Sequence, residues 1–282
     1  MLNRSPALLA ILVLIWTGPA YAGLPLGQPS SSLTASGLTA SGEAVVKSVI
    51  SGDLLELADG RIVRLAGIQA PKIASSHGRG RKGPLAEEVR AVLERLALGQ
   101  PVTLFLGAVH QDRHDRLLAQ LVRDDGLWLQ GEMLSQGWAR VHVLADSHAL
   151  VAKLLAAEAP AREARLGIWG NPAYAIRTPN TLGHDADTFQ VVEGLILNAT
   201  LIKGQLYLNF GPDWRTDFTV RVPRRTMKSF RQIYDHPQQL QGRMIRVRGW
   251  VYRHNGPEIE ITAPDQLELT TPGPVVPAPA TP

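Results

Sequence analysis

A carboxylate and a guanidinium are brought close together by the pattern of residues 51–72. The segment reads as two short strands, Leu54 to Leu57 and Ile62 to Ile68, joined by an Asp-Gly turn that is a strong hairpin signal. Asp53 precedes the first strand and Arg64 lies on the second. Together they could serve a metal ion or a phosphate group. A surface ion pair is the alternative interpretation, and the hairpin by itself favours it.

A second candidate group is the H-x-D-x-H pattern of His110, Asp112 and His114. Histidine and carboxylate ligands suit zinc or manganese, and His114 could act as a general base. Alternate residues share a face if the segment is extended, which would let the three side chains converge. In a loop they would be ordinary polar side chains, and this second interpretation is favoured.

The elements that must position these residues follow from apolar periodicity. The pattern predicts helices over 84–98, 129–136 and 148–165, and strands over 102–106 and 117–122. Glu158, Arg162 and Arg165 read as a solvated face of the long helix. Trp169, which follows that helix, is expected to pack in the core because a lone tryptophan there is usually buried.

Five segments, in their order and spacing, resemble the staphylococcal nuclease-like (thermonuclease) family. They are the hairpin at 51–72, GPLAEEVR at 83–90, DRHDRLLAQL at 112–121, LSQGWARV at 134–141 and EARLGIW at 163–169. The resemblance covers about residues 43–170. It implies an OB-type five-stranded barrel with helices packed on it. It also implies the calcium-dependent cleavage of DNA or RNA phosphodiesters that the family performs.

The resemblance gives roles to single residues, and several departures from the family pattern bear on the chemistry. Asp53 matches a metal-ligating aspartate, and Arg64 and Arg116 match the arginines that grip the phosphate. Gln69 stands where the family has its second metal aspartate, and Lys72 stands where it has the glutamate that activates water. His114 replaces a common aromatic residue, and Asp115 replaces a glycine. The loss of one carboxylate beside a new ammonium group predicts that the calcium site is degenerate.

The second half of the chain changes to a strand pattern. Strands are predicted over 191–202, 205–210, 217–222, 244–254 and 258–261, with a helix over 225–240. This order is typical of an OB barrel, which often binds oligonucleotides. Alternation along the fourth strand places Arg246, Arg248 and Trp250 on one face and valines on the other. We expect that outer face, with Arg253, to bind nucleic acid.

Charge is distributed unevenly within a formal net charge of +4. Residues 43–175 carry 16 Lys and Arg against 15 Asp and Glu, whereas residues 188–270 carry 11 against 8. A balanced surface binds phosphates weakly unless cations are locally concentrated. The local candidates in the first half are Arg79, Arg81, Lys82, Arg113 and His114. A solvated loop is an equally good interpretation of the first three.

The fold class is therefore expected to be mainly β with helices (α+β), a nuclease-like OB barrel followed by a second, smaller OB-like barrel. Residues 1–22 read as a signal peptide, with an apolar run and an A-x-A site before the mature chain. Residues 23–42 are predicted to be a flexible linker, 43–175 and 188–269 the two domains, and 270–282 a disordered proline-rich tail. The absence of cysteine and of any transmembrane candidate fits export to the periplasm or outside the cell.

Three functions fit these observations. The favoured one is an exported family member that binds nucleic acid or another polyanion without turnover. The alternatives are an active nuclease with an altered metal site and an envelope module that binds other proteins. No cofactor is expected, although calcium would be required if the family chemistry persists.

Overall fold

Five strands close into a barrel in the first half of the chain. The computed structural model describes residues 29–73, 83–143 and 148–270. The barrel strands pair in the order β1-β2-β3-β6-β5, with β3 parallel to β6. They are β1 (Thr39–Ser51), β2 (Leu54–Leu57), β3 (Ile62–Leu65), β5 (Pro101–Gln111) and β6 (Leu117–Arg123). Two short strands, β4 (Ile68–Gln69) and β7 (Arg140–Val141), pair separately beside the barrel.

The predicted hairpin is present, and its register brings Leu54 opposite Arg64. The apolar residues that alternate along β2 and β3 are fully buried in the barrel core. The second strand ends at Leu65 rather than at Ile68. Gly67 has a φ of +79°, which favours glycine, and a side chain there would lie 2.5 Å from Leu154. The chain therefore turns at Ala66 and Gly67 and begins the separate strand β4.

Helices cover the barrel where the apolar pattern predicted them. They are α2 (Ala86–Ala97), α3 (Leu129–Ser135) and α4 (His148–Glu163). Trp169, after α4, is buried as expected. Among the helices that the structure describes, none combines the length and the apolar composition needed to cross a membrane.

Part of the predicted flexible linker is folded. Residues 29–34 form the short helix α1 (Pro29–Thr34), and β1 begins at Thr39. Leu33 and Leu38 are both buried in the first core. The Ser36 hydroxyl also accepts a hydrogen bond from Lys153 of α4, at 2.6 Å. The serine- and alanine-rich composition concealed these two leucine anchors. The proposed signal peptide and residues 23–28 of the linker lie outside the described residues, as does the tail after residue 270.

A second set of strands repeats the order of the first barrel. It contains β8 (Phe189–Leu195), β9 (Asn198–Ile202), β10 (Gln205–Asn209), β11 (Thr219–Val222), β12 (Met244–Arg253), β13 (Pro257–Glu260) and β14 (Leu267–Leu269). The strands pair as β9-β10-β11-β13-β12, and β8 pairs with β12. Because β8 and β9 are consecutive, the path returns to the segment where it began. The predicted first strand is thus two strands, and the predicted helix is α5 (Met227–Ile233) followed by a 3₁₀ turn.

The two barrels meet at a buried ion pair. Arg248 of β12 and Glu158 of α4 are both fully buried, with 3.0 Å between Nη1 and Oε2. Arg248 also pairs with Glu268 at 2.5 Å, and Arg162 pairs with Glu158 at 2.9 Å. Burial by itself raises the pKa of Glu158, but the charge and hydrogen bonds of Arg248 outweigh it and lower that pKa. The prediction that Glu158 lies on a solvated face was wrong, because that face of α4 packs against the second barrel.

Candidate functional site

Asp53 lies at the turn between β1 and β2, where helix α2 packs directly on the backbone. A Cβ at Gly52 would lie 2.4 Å from Val89 of that helix, so the turn and Asp53 are fixed closely against it. Both carboxylate oxygens of Asp53 accept hydrogen bonds. Oδ1 accepts from the Ser51 hydroxyl at 2.9 Å, and Oδ2 accepts from the backbone N–H of Ala70 at 3.3 Å.

Gln69 connects Asp53 to Arg64. Its Nε2 donates to Asp53 Oδ2 at 3.4 Å, and its Oε1 accepts from Arg64 Nη2 at 3.1 Å. Gln69 is buried, and β4 holds it through its pairing with β7. The side chain of Arg64 therefore donates its hydrogen bond, within the described residues, to a neutral amide. An amide does not cancel the guanidinium charge, so Arg64 remains attractive to an anion although Asp53 lies on the far side of the amide.

These side chains do not suit calcium, the metal that the family resemblance implies. Calcium takes six to eight oxygen ligands, preferably including carboxylates, whereas Asp53 here faces N–H and O–H donors. The amide nitrogen of Gln69 occupies the position beside Asp53 that a second carboxylate would need. Across residues 29–73, 83–143 and 148–270, no cluster of three or more His, Cys, Asp or Glu could hold a metal ion. The arrangement holds the carboxylate by hydrogen bonds rather than preparing it for a cation.

Lys72 lies over an aromatic ring of the second barrel. Its Nζ is 4.0 Å from the ring centroid of Trp250, a cation–π contact between the two domains. The pKa of Lys72 is lowered, first by burial and then by the positive charge of Arg64, with smaller effects from Arg113 and Arg116. Asp53 acts in the opposite direction. The three arginines are therefore close enough to Lys72 to repel its positive charge, which makes the region favourable for an anion.

Arg116 is held by a carboxylate of its own loop. Its Nε and Nη2 donate to Asp112 Oδ2, at 2.7 and 2.5 Å. Asp112 Oδ1 accepts from the backbone N–H groups of His114 and Arg116. Burial by itself raises the pKa of Asp112, but the hydrogen bonds from Arg116 and the backbone outweigh it and lower the pKa. Asp115 has a φ of +58°, a conformation that favours the glycine usual at this position in the family.

The alternative metal group in this loop is not formed. Asp112 is engaged by Arg116, and the Nε2 of the exposed His114 accepts a hydrogen bond from Arg113 at 3.1 Å. His110 lies near the end of β5 and joins neither residue in a metal cluster of the described chain. The favoured interpretation, ordinary polar side chains in a loop, agrees with this arrangement, because Asp112 accepts hydrogen bonds from the backbone of its own loop. The basic residues Arg79, Arg81 and Lys82 lie outside the described residues.

The basic face predicted for the second barrel is largely an interface. Arg248 is fully buried against the first barrel and cannot contact nucleic acid. Arg246 is mostly buried and pairs with Glu193, at 2.6 Å. Arg253 is exposed and donates to the carbonyl oxygen of Gly183 at 3.0 Å. Strand alternation correctly put the arginines opposite the buried valines, but it could not reveal that the first barrel covers their face.

Two further residues beside this site were not identified from the sequence. The pKa of His142, next to β7, is lowered to about 4 by burial and then by Arg64 and Lys72. Its Nδ1 has no hydrogen-bond partner in the described part of the chain, and its ring packs edge-on against Phe189 at 5.3 Å. Arg140 is buried with its guanidinium 5.1 Å from the ring centroid of Phe189. Both residues come from the LSQGWARV segment and its extension, but their burial depends on a strand from the other barrel.

The site can be compared with known proteins through its barrel. Residues 62–171 match the family model described as staphylococcal nuclease homologue. This segment belongs to a staphylococcal nuclease-like domain. A comparison of the chain with curated proteins gave no match. The OB-like closed barrel agrees with the family, and the predicted family resemblance and fold class are confirmed.

The matched segment and the folded domain do not coincide. The match begins at Ile62, whereas the barrel of the nuclease-like domain needs β1 and β2 to close. Asp53 lies before the matched residues but is placed by the same hairpin, since Leu54 pairs with Arg64. Arg64, Gln69, Lys72 and Arg116 all fall within the match.

Proposed function

We propose that the nuclease-like domain binds a phosphate-bearing polyanion, with nucleic acid as the first candidate, and does not hydrolyse it by calcium chemistry. The observation that carries the proposal is the position of Gln69 between Asp53 and Arg64. This amide stands where the family has its second metal-binding aspartate and donates to Asp53, while the charge of Arg64 remains available to an anion. The barrel thus supports anion binding without supporting the metal.

The charges around Arg64 favour the same function. Arg64, Arg113 and Arg116 are near enough to Lys72 for their positive charges to lower its pKa, in addition to the larger effect of burial. Arg116 is paired with Asp112, so its contribution to anion binding is reduced unless a phosphate displaces the carboxylate. Arg64, Lys72 and Arg113, whose side chains contact an amide, an aromatic ring and an imidazole, are available to a phosphate. Binding through so few phosphates is expected to be modest and sensitive to salt.

The second candidate is the active nuclease with an altered metal site. Arg64 and Arg116 retain the family positions that grip the phosphate, which favours this candidate. Against it, Lys72 puts an ammonium where the family has the acid that activates water. The proposed location remains the periplasm or the exterior of the cell, on the strength of residues 1–22 alone.

Fluorescence anisotropy with a labelled 20-nucleotide single strand tests the proposal. We expect Arg64→Ala and Lys72→Ala each to weaken binding several-fold and to reduce the salt dependence by about one phosphate contact. Arg61→Ala is the matched control, because Arg61 lies on the same hairpin but is already paired with Asp59 at 2.7 Å. Unlabelled polyphosphate and heparin should compete if the charge alone is recognised. Binding that is absent at low salt, or equal in wild type and Arg64→Ala, would overturn the proposal.

A further inference from the structure

A groove of about 720 Å³ lies on the outer surface of the second barrel. It is formed by β9 and β10, the loop that follows β10, and the turn between β12 and β13. Its volume lies within the range of roughly 300–1,000 Å³ typical of sites for small ligands. The groove does not include any of Asp53, Arg64, Lys72 or Arg116, so its ligand is separate from that of the nuclease-like domain.

Strand alternation supplies the polar floor of the groove. Leu206 and Leu208 point into the core, so Tyr207 and Asn209 face outward. Cross-strand pairing aligns Asn209 with Asn198 on one side and with Thr219 on the other. Thr219 donates its hydroxyl to Asn209 Oδ1 at 3.0 Å, which fixes the amide and directs its N–H groups away from Thr219. The floor therefore presents amide and hydroxyl groups in a fixed row.

Two aromatic side chains add a stacking surface. Tyr207 lies on the floor, and Trp214 stands in the loop after β10 with 53% of its surface exposed. The guanidinium of Arg215 lies 4.7 Å from the Trp214 ring centroid, which helps to hold that ring in place. Phe210 and Phe218, which are nearby in sequence, are buried against each other in the core and take no part. The face of an aromatic ring carries partial negative charge and attracts C–H groups.

The charges of the groove disfavour a polyanion. Within the described residues, no lysine or arginine lines it. A carboxylate does: Glu258 is buried at its edge, where it accepts from Arg221 Nε at 2.8 Å and faces His254 Nδ1 at 3.3 Å. A nucleic acid needs cations along its phosphates, but beside this groove Arg215 lies on the Trp214 ring and Arg221 is paired with two glutamates.

We infer that the groove binds a neutral oligosaccharide. Sugar hydroxyls both donate and accept hydrogen bonds, and they match the amides of Asn198 and Asn209 and the carboxylate of Glu258. The apolar faces of sugar rings carry C–H groups, and they match Tyr207 and Trp214. A chain of uncharged sugar rings thus satisfies both parts of the surface without cations, whereas a nucleic acid also requires positive charge along its phosphates.

Isothermal titration calorimetry on the full chain tests this inference, with chitotetraose, cellotetraose and maltotetraose as probes. We expect at least one of the three to bind. Trp214→Ala should weaken that binding about tenfold, the effect of roughly 1.4 kcal/mol from a lost stacking contact. Asn209→Ala should also weaken it several-fold. Tyr252→Ala is the matched control, since Tyr252 is a similarly exposed aromatic residue outside the groove.

A fourth probe, a ten-residue oligothymidylate, separates the two classes of ligand. If it binds and Trp214→Ala abolishes that binding, the groove is a nucleic-acid site and the inference is wrong. The inference also fails if none of the three saccharides binds at millimolar concentration, or if Trp214→Ala and Tyr252→Ala bind a saccharide equally. Circular dichroism of each variant checks that it is folded, which is expected because Trp214 is mostly exposed.

Discussion

The two barrels of this chain have the same strand order, and each carries an arginine on its third strand. In the first barrel this arginine contacts a neutral amide, whereas in the second it is paired with carboxylates. In each barrel the third strand is parallel to the fifth, β3 to β6 and β11 to β13. Arg64 on β3 lies opposite Leu118, and its side chain meets the neutral Gln69. Arg221 on β11 lies opposite Glu260, and it pairs with both Glu258 and Glu260. The pairing partner on the fifth strand thus decides whether the arginine charge remains available to a ligand.

This difference shows how one topology can present two different surfaces. The first barrel keeps a cluster of incompletely neutralised cations at the edge that faces the second barrel. The second barrel neutralises its arginine and offers amides and aromatic rings instead. Substitutions at four places in the molecule test this difference between the barrels.

The largest effect is expected where the two barrels join. Arg248→Met leaves Glu158 buried with only Arg162 as a charged partner, and should cost roughly 3–5 kcal/mol in the free energy of unfolding. Arg246→Met is the control two residues away on the same strand. Its partner Glu193 is partly exposed, so it should cost about 1 kcal/mol or less. Urea unfolding measures both. Equal losses in the two variants would show that the buried pair does not unite the barrels.

The next effect concerns the metal. Gln69→Asp with Lys72→Glu removes the blocking amide and the ammonium and adds two carboxylates near Asp53. Calcium at 100 times its dissociation constant should then stabilise the double variant by about 2.7 kcal/mol. The wild type should show no calcium-dependent shift in Tm, and each single variant should respond less than the pair. A calcium response in the wild type, lost in Asp53→Ala, would show that the native site still holds the metal.

A smaller effect is expected from His142. Its pKa is lowered to about 4 from 6.5, so the unfolded chain binds the proton more readily than the folded chain between these values. The stability associated with neutral His142 is present above about pH 6.5 and is lost as the pH falls towards 4. Between pH 7 and pH 4.5 the free energy of unfolding of His142→Gln should therefore fall by roughly 1–3 kcal/mol less than that of the wild type. Urea unfolding at the two pH values measures this difference. An equal loss of unfolding free energy in the wild type and in His142→Gln would refute the prediction.

The smallest effect tests the contact between Lys72 and Trp250. Trp250→Leu removes the ring but keeps an apolar side chain at the interface. The pKa of Lys72 should fall further, because leucine keeps the site apolar while the attraction of the ring for the charged ammonium is lost. The change in stability should stay below about 1 kcal/mol. An NMR titration of the Lys72 side chain measures the shift, with Tyr252→Leu as the control. A rise of the pKa towards its ordinary value would show that the ring acts on Lys72 mainly by burying it.

Local patterns were enough to predict most of the first barrel. The hairpin, α2 and α4 follow from the spacing of apolar residues, and the positions of Asp53, Arg64 and Arg116 follow from the resemblance. Features that depend on contacts between distant segments could not be predicted in this way. Arg248 and Glu158 look like solvated charges in their own elements, and only the docking of the two barrels buries them. The burial of Leu33 and Leu38 was not predicted, because two leucines in a segment rich in serine, alanine and glycine do not form a recognisable apolar periodicity.

In the candidate site, too, some features could be predicted from the sequence and others depend on contacts between distant segments. The sequence indicated that Gln69 and Lys72 replace acids, and this predicted the loss of calcium chemistry. It did not indicate that the amide of Gln69 would connect Asp53 to Arg64, because that bond depends on how β4 returns beside the hairpin. Nor could it place Trp250 over Lys72, since the two residues are far apart in the chain and belong to different domains.

Binding without calcium-dependent turnover is tested most directly by a cleavage assay on the full chain. Supercoiled plasmid and a labelled single strand are incubated with the protein in calcium, manganese, zinc or a chelator, and the same mixtures are measured for binding. We expect salt-sensitive binding that depends on Arg64, with no cleavage above the chelator control in any metal. Metal-dependent cleavage that Arg64→Ala abolishes would contradict this expectation and would show that the barrel is an enzyme with a site of different composition.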